Sequence, residues 1–458
     1  MQTPFLMNFD DAAMACNGEL FESKTKGFTG VCIDSREIKK GDFFIALNGE
    51  NVDGHSFVKK AFDGGAAGTI VEKKKLNDFP ILENAKEYDA AVIAVDDTLH
   101  SFQNIAAAYL KKFPKLLRIG ITGSSGKTTT KEIAAGMIGI EKKVVFNEGN
   151  FNTETGLPIS VFLVREDHEV GIFEMGMNRF GEIAELSRVL RPNIALITNV
   201  GTAHIGFIGS MDGIAKEKKD IFSQFTGNET AFIPEYEKYG EFLREGVKGR
   251  IKSYGPAAFS GRGGKKRNDF LLGAEIIWEG ISAHFSLPGE YNFRNLTGAI
   301  EIALEAGVSG DAIRKGIESV KPLFGRGEVF NCKGGITVVR DCYNANPESM
   351  REAIALCDAI DWKGRRIYIL GSMLELGNVS KTEHENIGKQ LMASNADYIY
   401  LFGSEIKPAY NLLHDKKNIF WTDDIDVLKK ELKERAENGD LLLLKGSRGC
   451  KLERAWDI

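Results

Sequence analysis

No apolar run in this chain approaches the length of a membrane span, so no bilayer insertion is expected. The first twenty residues, MQTPFLMNFDDAAMACNGEL, carry acids where a secretory signal needs a basic segment. No export is therefore expected, and the expected compartment is the cytoplasm. Cysteine is scarce: six residues, at 16, 32, 332, 342, 357 and 450, none in a CxxC pair. That scatter fits reduced thiols better than a disulfide framework or a cysteine zinc site. Basic charge is not in excess; the net charge is −5, which argues against nucleic acid as a partner. There is no repeat of solenoid period. The only low-complexity piece, Ser260 to Arg267 (SGRGGKKR), is expected to be an exposed loop. What remains is an ordinary globular composition, 43% hydrophobic and 27% charged over 458 residues. That length suggests about three domains.

The most informative stretch is Gly120-Ile121-Thr122-Gly123-Ser124-Ser125-Gly126-Lys127-Thr128-Thr129-Thr130. A strand-like run, Leu116 to Ile121, precedes it. A helical pattern with Ile133, Met137 and Ile138 on one face follows. Strand, glycine-rich turn, Lys-Thr and helix make a phosphate-binding loop. Glycines let the backbone approach the phosphates, and the amides at the helix start point at the anion. Lys127 is expected to reach the β- and γ-phosphates and Thr128 to hold Mg²⁺. Five residues lie between Gly120 and Gly126, one more than in the usual pattern.

Upstream, residues 1–112 read as a small α/β domain. Strands are expected at Gly30–Ile33, Asp42–Ala46, Gly68–Val71 and Ala91–Val95. Helices are expected near Phe9–Cys16, Ser56–Phe62 and Thr98–Lys112. Asp34-Ser35-Arg36 reads as a turn, and His55, in Asp53-Gly54-His55, as a capping or surface histidine. Residues 113–322 alternate strands and helices, as parallel βα units do. Residues 268–287 read as a β-hairpin excursion, and Asn292 and Asn295 lie in the first turns of a helix. Residues 323–458 form a third, Rossmann-like unit. Its strands are expected at Gly335–Val339, Arg366–Leu370, Tyr398–Phe402 and Asp440–Leu444, with a helix near Asp424–Asn438.

In the middle region Gly171-Ile172-Phe173 ends in Glu174, and a strand-like run, Ile194 to Val200, leads to His204. Ligands in open parallel sheets bind at the carboxyl ends of strands. Thr128, Glu174 and His204 are therefore expected to converge on one Mg²⁺-nucleotide site. Between them, Asn147 to Pro158 is polar and long for a passive connection. After His204, Ile214, Ile221, Phe222 and Phe225 share a helical face, and Lys218 falls within it. Lys216 and Lys219 point away. Two readings of Lys218 fit: a lysine snorkelling past the stripe edge, or a desolvated amine. A desolvated amine adds CO₂ to become a carbamate, an oxygen ligand suited to Mg²⁺.

These pieces resemble the Mur ligases of peptidoglycan synthesis nearly end to end. The resemblance rests on TGSSGKTTTKE at 122–132, NVGTAHIGFIGSMDGIAKEKKDIF at 199–222 and DCYNANPESM at 341–350. LGSMLELG at 370–377 and KGSRG at 445–449 complete it. It implies an α/β architecture of three domains: uridine-binding, ATP-binding and C-terminal. The branch it matches joins D-alanyl-D-alanine to a UDP-N-acetylmuramoyl-tripeptide through an acyl phosphate. The implied cofactors are ATP and two Mg²⁺ ions, and the implied state is a monomer. Lys218 aligns with the family's carbamoylated lysine. Lys127, Lys218, His204 and Glu174 take the catalytic roles, and Thr128, Glu174, His204 and Lys218 the metal roles. Gly123, Ser124, Ser125, Gly126, Lys127, Thr128 and Thr129 would bind phosphates. Asn295, Arg326, Asp341 and Tyr343 match adenine- and ribose-side contacts. Ser35 and Arg36 match the uridine turn; Asn150, Asn152 and Thr153 fall in the UDP-sugar loop. Asn344 and Asn346 are expected to meet substrate. One departure is Tyr291, where many members have His.

Overall fold

The computed structural model describes residues 4–21, 23–49, 52–278, 280–415 and 418–456. Its chain contacts define two compact units. The first comprises residues 1–120, 143–176 and 182–193; the second comprises 121–142, 177–181 and 194–458. The α/β class holds throughout.

In the first unit a five-stranded sheet runs in the order Glu19–Phe21, Ala91–Val95, Gly68–Glu72, Asp42–Ile45, Gly30–Cys32. Only Glu19–Phe21 is antiparallel to its neighbour. A strand inside a parallel sheet is covered on both faces. Asp42–Ile45 shows it, because successive side chains leave opposite sides. Phe43 stacks on Phe28, with ring centroids 4.9 Å apart, and meets Phe9. Phe44 turns the other way, into a cluster with Val58, Ala61 and Phe62. Truncating Phe43 to Ala would cost about 3–5 kcal/mol. The helix Thr98–Leu110 starts on Asp97, whose carboxylate accepts the His100 N–H at 2.8 Å. Val144–Phe146 and Val170–Glu174 pair in parallel.

In the second unit the strands Ile194–Ile197, Thr230–Pro234 and Arg250–Tyr254 are parallel neighbours. Helix α1 (Lys127–Ile138) buries Ile133, Met137 and Ile138 and packs on α3 (Glu290–Glu305). Helix α2 (Met211–Lys219) begins at Ser210, whose hydroxyl accepts the Gly213 N–H at 3.0 Å. It then tightens into a 3₁₀ turn, Asp220–Phe222. Residues 328–445 form a six-stranded sheet in the order Glu328–Asn331, Thr337–Asp341, Leu441–Lys445, Arg366–Gly371, Tyr398–Phe402, Ile419–Thr422. Its first strand is an antiparallel edge. Helix α4 (Pro347–Ala359) carries a capping box between Asn346 and Ser349.

Four expectations need correction. Residues 268–287 are not a hairpin alone. Three antiparallel strands occur, Lys265–Phe270, Gly273–Trp278 and Ile281–Phe285. The basic piece at 260–267 is accordingly not one loop. It runs from the end of a helix, Pro256–Gly261, into the first of those strands. Acids on α3 neutralise it: Arg262 pairs with Glu301 at 3.2 Å and Lys266 with Glu290 at 2.8 Å. The strand expected over Ile194–Val200 stops at Ile197; beyond it the Thr198 N–H still donates to Thr122 O at 2.8 Å, while the Thr198 and Asn199 side chains hold the phosphate loop. His55 is neither capping nor at the surface. It is buried, with both ring nitrogens engaged by Asp53 and the Glu72 N–H. Beyond these, no sequence signal marked the edge strands Glu328–Asn331 and Ile419–Thr422.

Candidate active site

The phosphate loop is built by the segment that follows strand Ile194–Ile197. Asn199 Oδ1 accepts the N–H groups of Ser124 and Ser125 at 3.1 and 3.0 Å. Asn199 Nδ2 donates to Ser125 Oγ at 2.9 Å, and Thr198 Oγ1 to Ser125 O at 2.6 Å. Ser124 Oγ donates to Gly201 O and accepts Gly201 N–H, both at 2.8 Å. Two loop amides expected to face phosphate are thus committed to Asn199, while the first-turn amides of α1 lie beyond intrahelical reach. Gly126 has φ 79°, and a Cβ there would stand 2.3 Å from Asn295 Oδ1. Only glycine fits, and Asn295 is thereby fixed against the loop. Lys127 Nζ donates to Gly123 O at 2.8 Å, folded back along its own loop. Thr128 is buried in the first turn of α1, and Thr129 follows it on the same turn.

Lys218 is 1% exposed on α2, where helical phase put it. Burial pushes its ammonium well below the usual lysine range, and the Lys127 charge pushes the same way. Glu217 and Glu237 oppose both, less strongly. Glu217 is itself buried and accepts the Gly181 N–H at 2.8 Å; Glu237 accepts the Val200 N–H at 2.9 Å. Lys216 is exposed, and Lys219 lies over the Phe242 ring at 4.3 Å. His204 has a left-handed backbone, φ 63°. Its Nδ1 lies 2.9 Å from the Glu375 carboxylate but off hydrogen-bond alignment. His204 holds the Glu375 carboxyl below the usual range, against burial, which raises it.

Among the described residues no three His, Cys, Asp or Glu side chains gather as a cation site. A Mg²⁺ ion here would need oxygen donors, which phosphate oxygens and a carbamate on the buried Lys218 amine would supply.

The nucleotide-side candidates near residue 340 also belong to the second unit. The Arg326 guanidinium lies over the Tyr343 ring at 4.2 Å. Asp341 pairs with buried Lys445 at 2.9 Å, yet burial outweighs that partner and raises its carboxyl. Asn344 is exposed. Asn346 uses its side chain to cap α4, accepting the Ser349 N–H at 2.8 Å.

In the first unit Glu174 ends its strand, buried, with Oε1 accepting the Asn152 side-chain amide at 2.6 Å. Asn147 exchanges hydrogen bonds with the Glu174 backbone at 2.8 and 3.0 Å. The polar loop is thus anchored on that acid. Asn150 is exposed, and Thr153 Oγ1 accepts the Gly156 N–H at 3.3 Å. Arg36 is exposed and forks onto Asp34, holding that carboxyl down at about 2. Ser35 sits between them, half-buried.

Sequence reading missed Asn199, Glu217, Glu237 and Glu375. Asn199 lay inside a run read as strand. A turn signal was available in Asn199-Val200-Gly201-Thr202; Glu217 and Glu375 lie inside quoted family motifs, and Glu237 had no local sign.

A phosphate loop, a buried lysine beside it and a Rossmann-like C-terminal sheet are the frame of an ATP-using ligase. Residues 27–110 match the Mur ligase family catalytic domain, 121–303 the Mur ligase middle domain, and 325–448 the Mur ligase glutamate ligase domain. The chain belongs to the Mur ligase family. It is 40% identical over 454 residues to the UDP-N-acetylmuramoyl-tripeptide--D-alanyl-D-alanine ligase of Treponema pallidum, covering 98% of each chain. To the Bacillus subtilis enzyme of the same name it is 34% identical, over 93% of this chain and 91% of that one. MurF from Acinetobacter baumannii superposes with TM-score 0.86 at 28% identity, covering 97% of each. The MurF ligase of Thermotoga maritima, in complex with ADP, gives 0.78 at 28%, covering 93% of this chain and 96% of that one.

Proposed function

We propose that this chain ligates D-alanyl-D-alanine to a UDP-N-acetylmuramoyl-tripeptide, consuming ATP, in peptidoglycan synthesis. The observation that carries the reading is likeness along the whole chain to relatives that bear that one name. An oxygen of the tripeptide's terminal carboxylate attacks the γ-phosphorus of ATP, and the bond to ADP breaks. The amine of D-alanyl-D-alanine then attacks the acyl carbon. Phosphate leaves with the acyl–oxygen bond pair, and the nitrogen loses a proton.

The chain's own residues supply position and charge. Lys127 swings from Gly123 O onto the transferring phosphoryl group and neutralises the charge that grows there. Gly123 to Thr129 cradle the phosphates, and Asn295, Arg326, Asp341 and Tyr343 take the adenosine. Thr128 would hold one Mg²⁺, with Glu174 in the metal role that the family resemblance implies; His204 and carbamoylated Lys218 would hold the second, and the ions would supply charge neutralisation. Ser35, Arg36, Asn150, Asn152 and Thr153 contact the UDP-sugar, and Asn344 and Asn346 the peptide side. Residues 1–112, 113–322 and 323–458 serve as the uridine, ATP and C-terminal domains of a cytoplasmic monomer. No helix among the described residues is long and apolar enough to cross a membrane.

The test is phosphate release with ATP and UDP-N-acetylmuramoyl-tripeptide, with and without D-alanyl-D-alanine. Sustained release is expected only with all three; turnover indifferent to the dipeptide would refute the reading.

A further inference from the structure

Helix α4 opens with Pro347-Glu348-Ser349, and an acid in a first turn is ordinary, because the helix dipole favours it. Glu348 does more than that. Its Oε2 accepts the Thr202 N–H at 3.2 Å and the Thr202 hydroxyl at 2.9 Å, from a residue 146 positions away. Its Oε1 is 3.4 Å from Arg351, which is itself held by Glu383 at 3.2 Å. One step before Thr202, Gly201 exchanges both of its hydrogen bonds with Ser124 of the phosphate loop. A Cβ on Gly201 would come to 3.0 Å from the Glu348 carboxyl, so the two lie close together. Two steps after Thr202 stands His204. A second tie closes the far end: Gly206 N–H donates to Glu375 O at 3.0 Å, and the Glu375 carboxylate faces His204. Residues 201–206 are therefore gripped at both ends by residues of the C-terminal sheet region and stapled to the phosphate loop at Gly201.

We propose that Glu348 is a positioning residue for ligation: through Thr202 it keeps the His204 segment and the phosphate loop in register with α4. The carboxylate is suited to this because one oxygen accepts two donors from the same residue, fixing both position and rotation of the Thr202 peptide. The inference rests on the ligase reading above, so one arm of its test does not depend on activity. Hydrogen exchange of the Thr202 amide reads the tie itself. It should quicken at least tenfold in Glu348→Ala and stay near wild type in Glu348→Gln, whose amide oxygen still accepts.

The second arm is kinetic. Glu348→Ala should lose at least tenfold in kcat with KM for ATP within threefold. Glu348→Gln should recover most of that loss. Adding Thr202→Val to Glu348→Ala should cost little more, since both remove one interaction. Unchanged exchange, a kcat within twofold of wild type, a Gln variant as impaired as Ala, or multiplicative losses in the double variant would each overturn the proposal. A wild-type enzyme that releases phosphate without the dipeptide would count against the ligase reading instead, and the exchange arm then decides on Glu348.

Discussion

Two histidines, each a few residues into a polar turn, end up in opposite circumstances. His55, in the first unit, is 1% exposed, and every polar atom of its ring is used. Its Nδ1–H donates to Asp53 at 2.6 Å and its Nε2 accepts the Glu72 N–H at 2.9 Å. His204, in the second unit, stands on a strained left-handed backbone with Nδ1 beside a misaligned carboxylate. The buried polar groups near each follow suit. Beside His55, Lys75 sits 2.9 Å from Asp53 and Lys74 3.0 Å from Glu72. In the second unit Lys218 is buried, and burial lowers the pKa of its ammonium against the opposing pull of Glu217 and Glu237. A satisfied cluster holds a fold together, whereas an unsatisfied one is kept for a ligand that completes it. The two regions should therefore fail in different ways when altered.

The largest effect is expected at Lys127. Lys127→Ala should cost about 2–4 kcal/mol of transition-state stabilisation, roughly 30-fold to 10³-fold in kcat, as for loss of a preorganised charge contact. Circular dichroism and the unfolding midpoint should stay as in wild type. Activity within threefold would place the phosphate contact elsewhere.

Lys218→Ala should be nearly inactive, and short carboxylates or chloride should restore part of the rate by occupying the carbamate's place. Native mass measurement should find one added CO₂ on the wild type and none on the variant. Full activity in Lys218→Ala would end the carbamate assignment.

Arg36→Ala should raise KM for the UDP-sugar roughly tenfold, the scale of one charge-assisted hydrogen bond, with KM for ATP unchanged. A change confined to ATP would contradict the assignment of the first domain to uridine.

Asp53→Ala probes the satisfied cluster and should do the reverse: lower the unfolding free energy read by urea titration, by about 1–3 kcal/mol for stranding His55, and leave kcat and KM alone. Burial pushes the Asp53 carboxyl up, but bonds from Lys75 and His55 more than offset this and hold it at about 2, below its ordinary 3.8. A depressed carboxyl adds stability that is complete above its ordinary value and lost as pH falls toward the depressed one. The gap between wild type and Asp53→Ala should therefore close between about pH 4 and pH 2. A gap that is flat with pH would show that Asp53 acts by packing alone.

The smallest effects belong to Lys216 and Lys219. Lys216→Ala and Lys219→Ala should remain within twofold of wild type. If Lys216→Ala abolished activity and Lys218→Ala did not, the face of α2 would be misassigned.

Where the sequence was legible, the signal was local. Gly126-Lys127-Thr128 needs only a strand before it and a helix after it, and both are read from ten residues either side. Lys218 was found from spacing, since 3.6 residues per turn carry it to the side of Ile214 whatever the rest of the chain does. The 3₁₀ turn after Lys219 did not spoil that phase, because Ile221 and Phe222 remain buried. His55 was misread for a related reason. A turn motif describes the backbone around a histidine, whereas its burial depends on Glu72, seventeen residues on and in another strand.

What the sequence alone determined is the chemistry on offer: the phosphate loop, the inward lysine, the acid and histidine after strands, and the family these define. Tertiary structure alone decided how those groups are held. Asn199 takes the loop amides, Glu375 faces His204, and Glu348 reaches Thr202 across 146 residues. Such contacts carry no periodicity and no fixed spacing. A carboxylate finds its donors by where the chain returns in space, and one local window of sequence does not record that return.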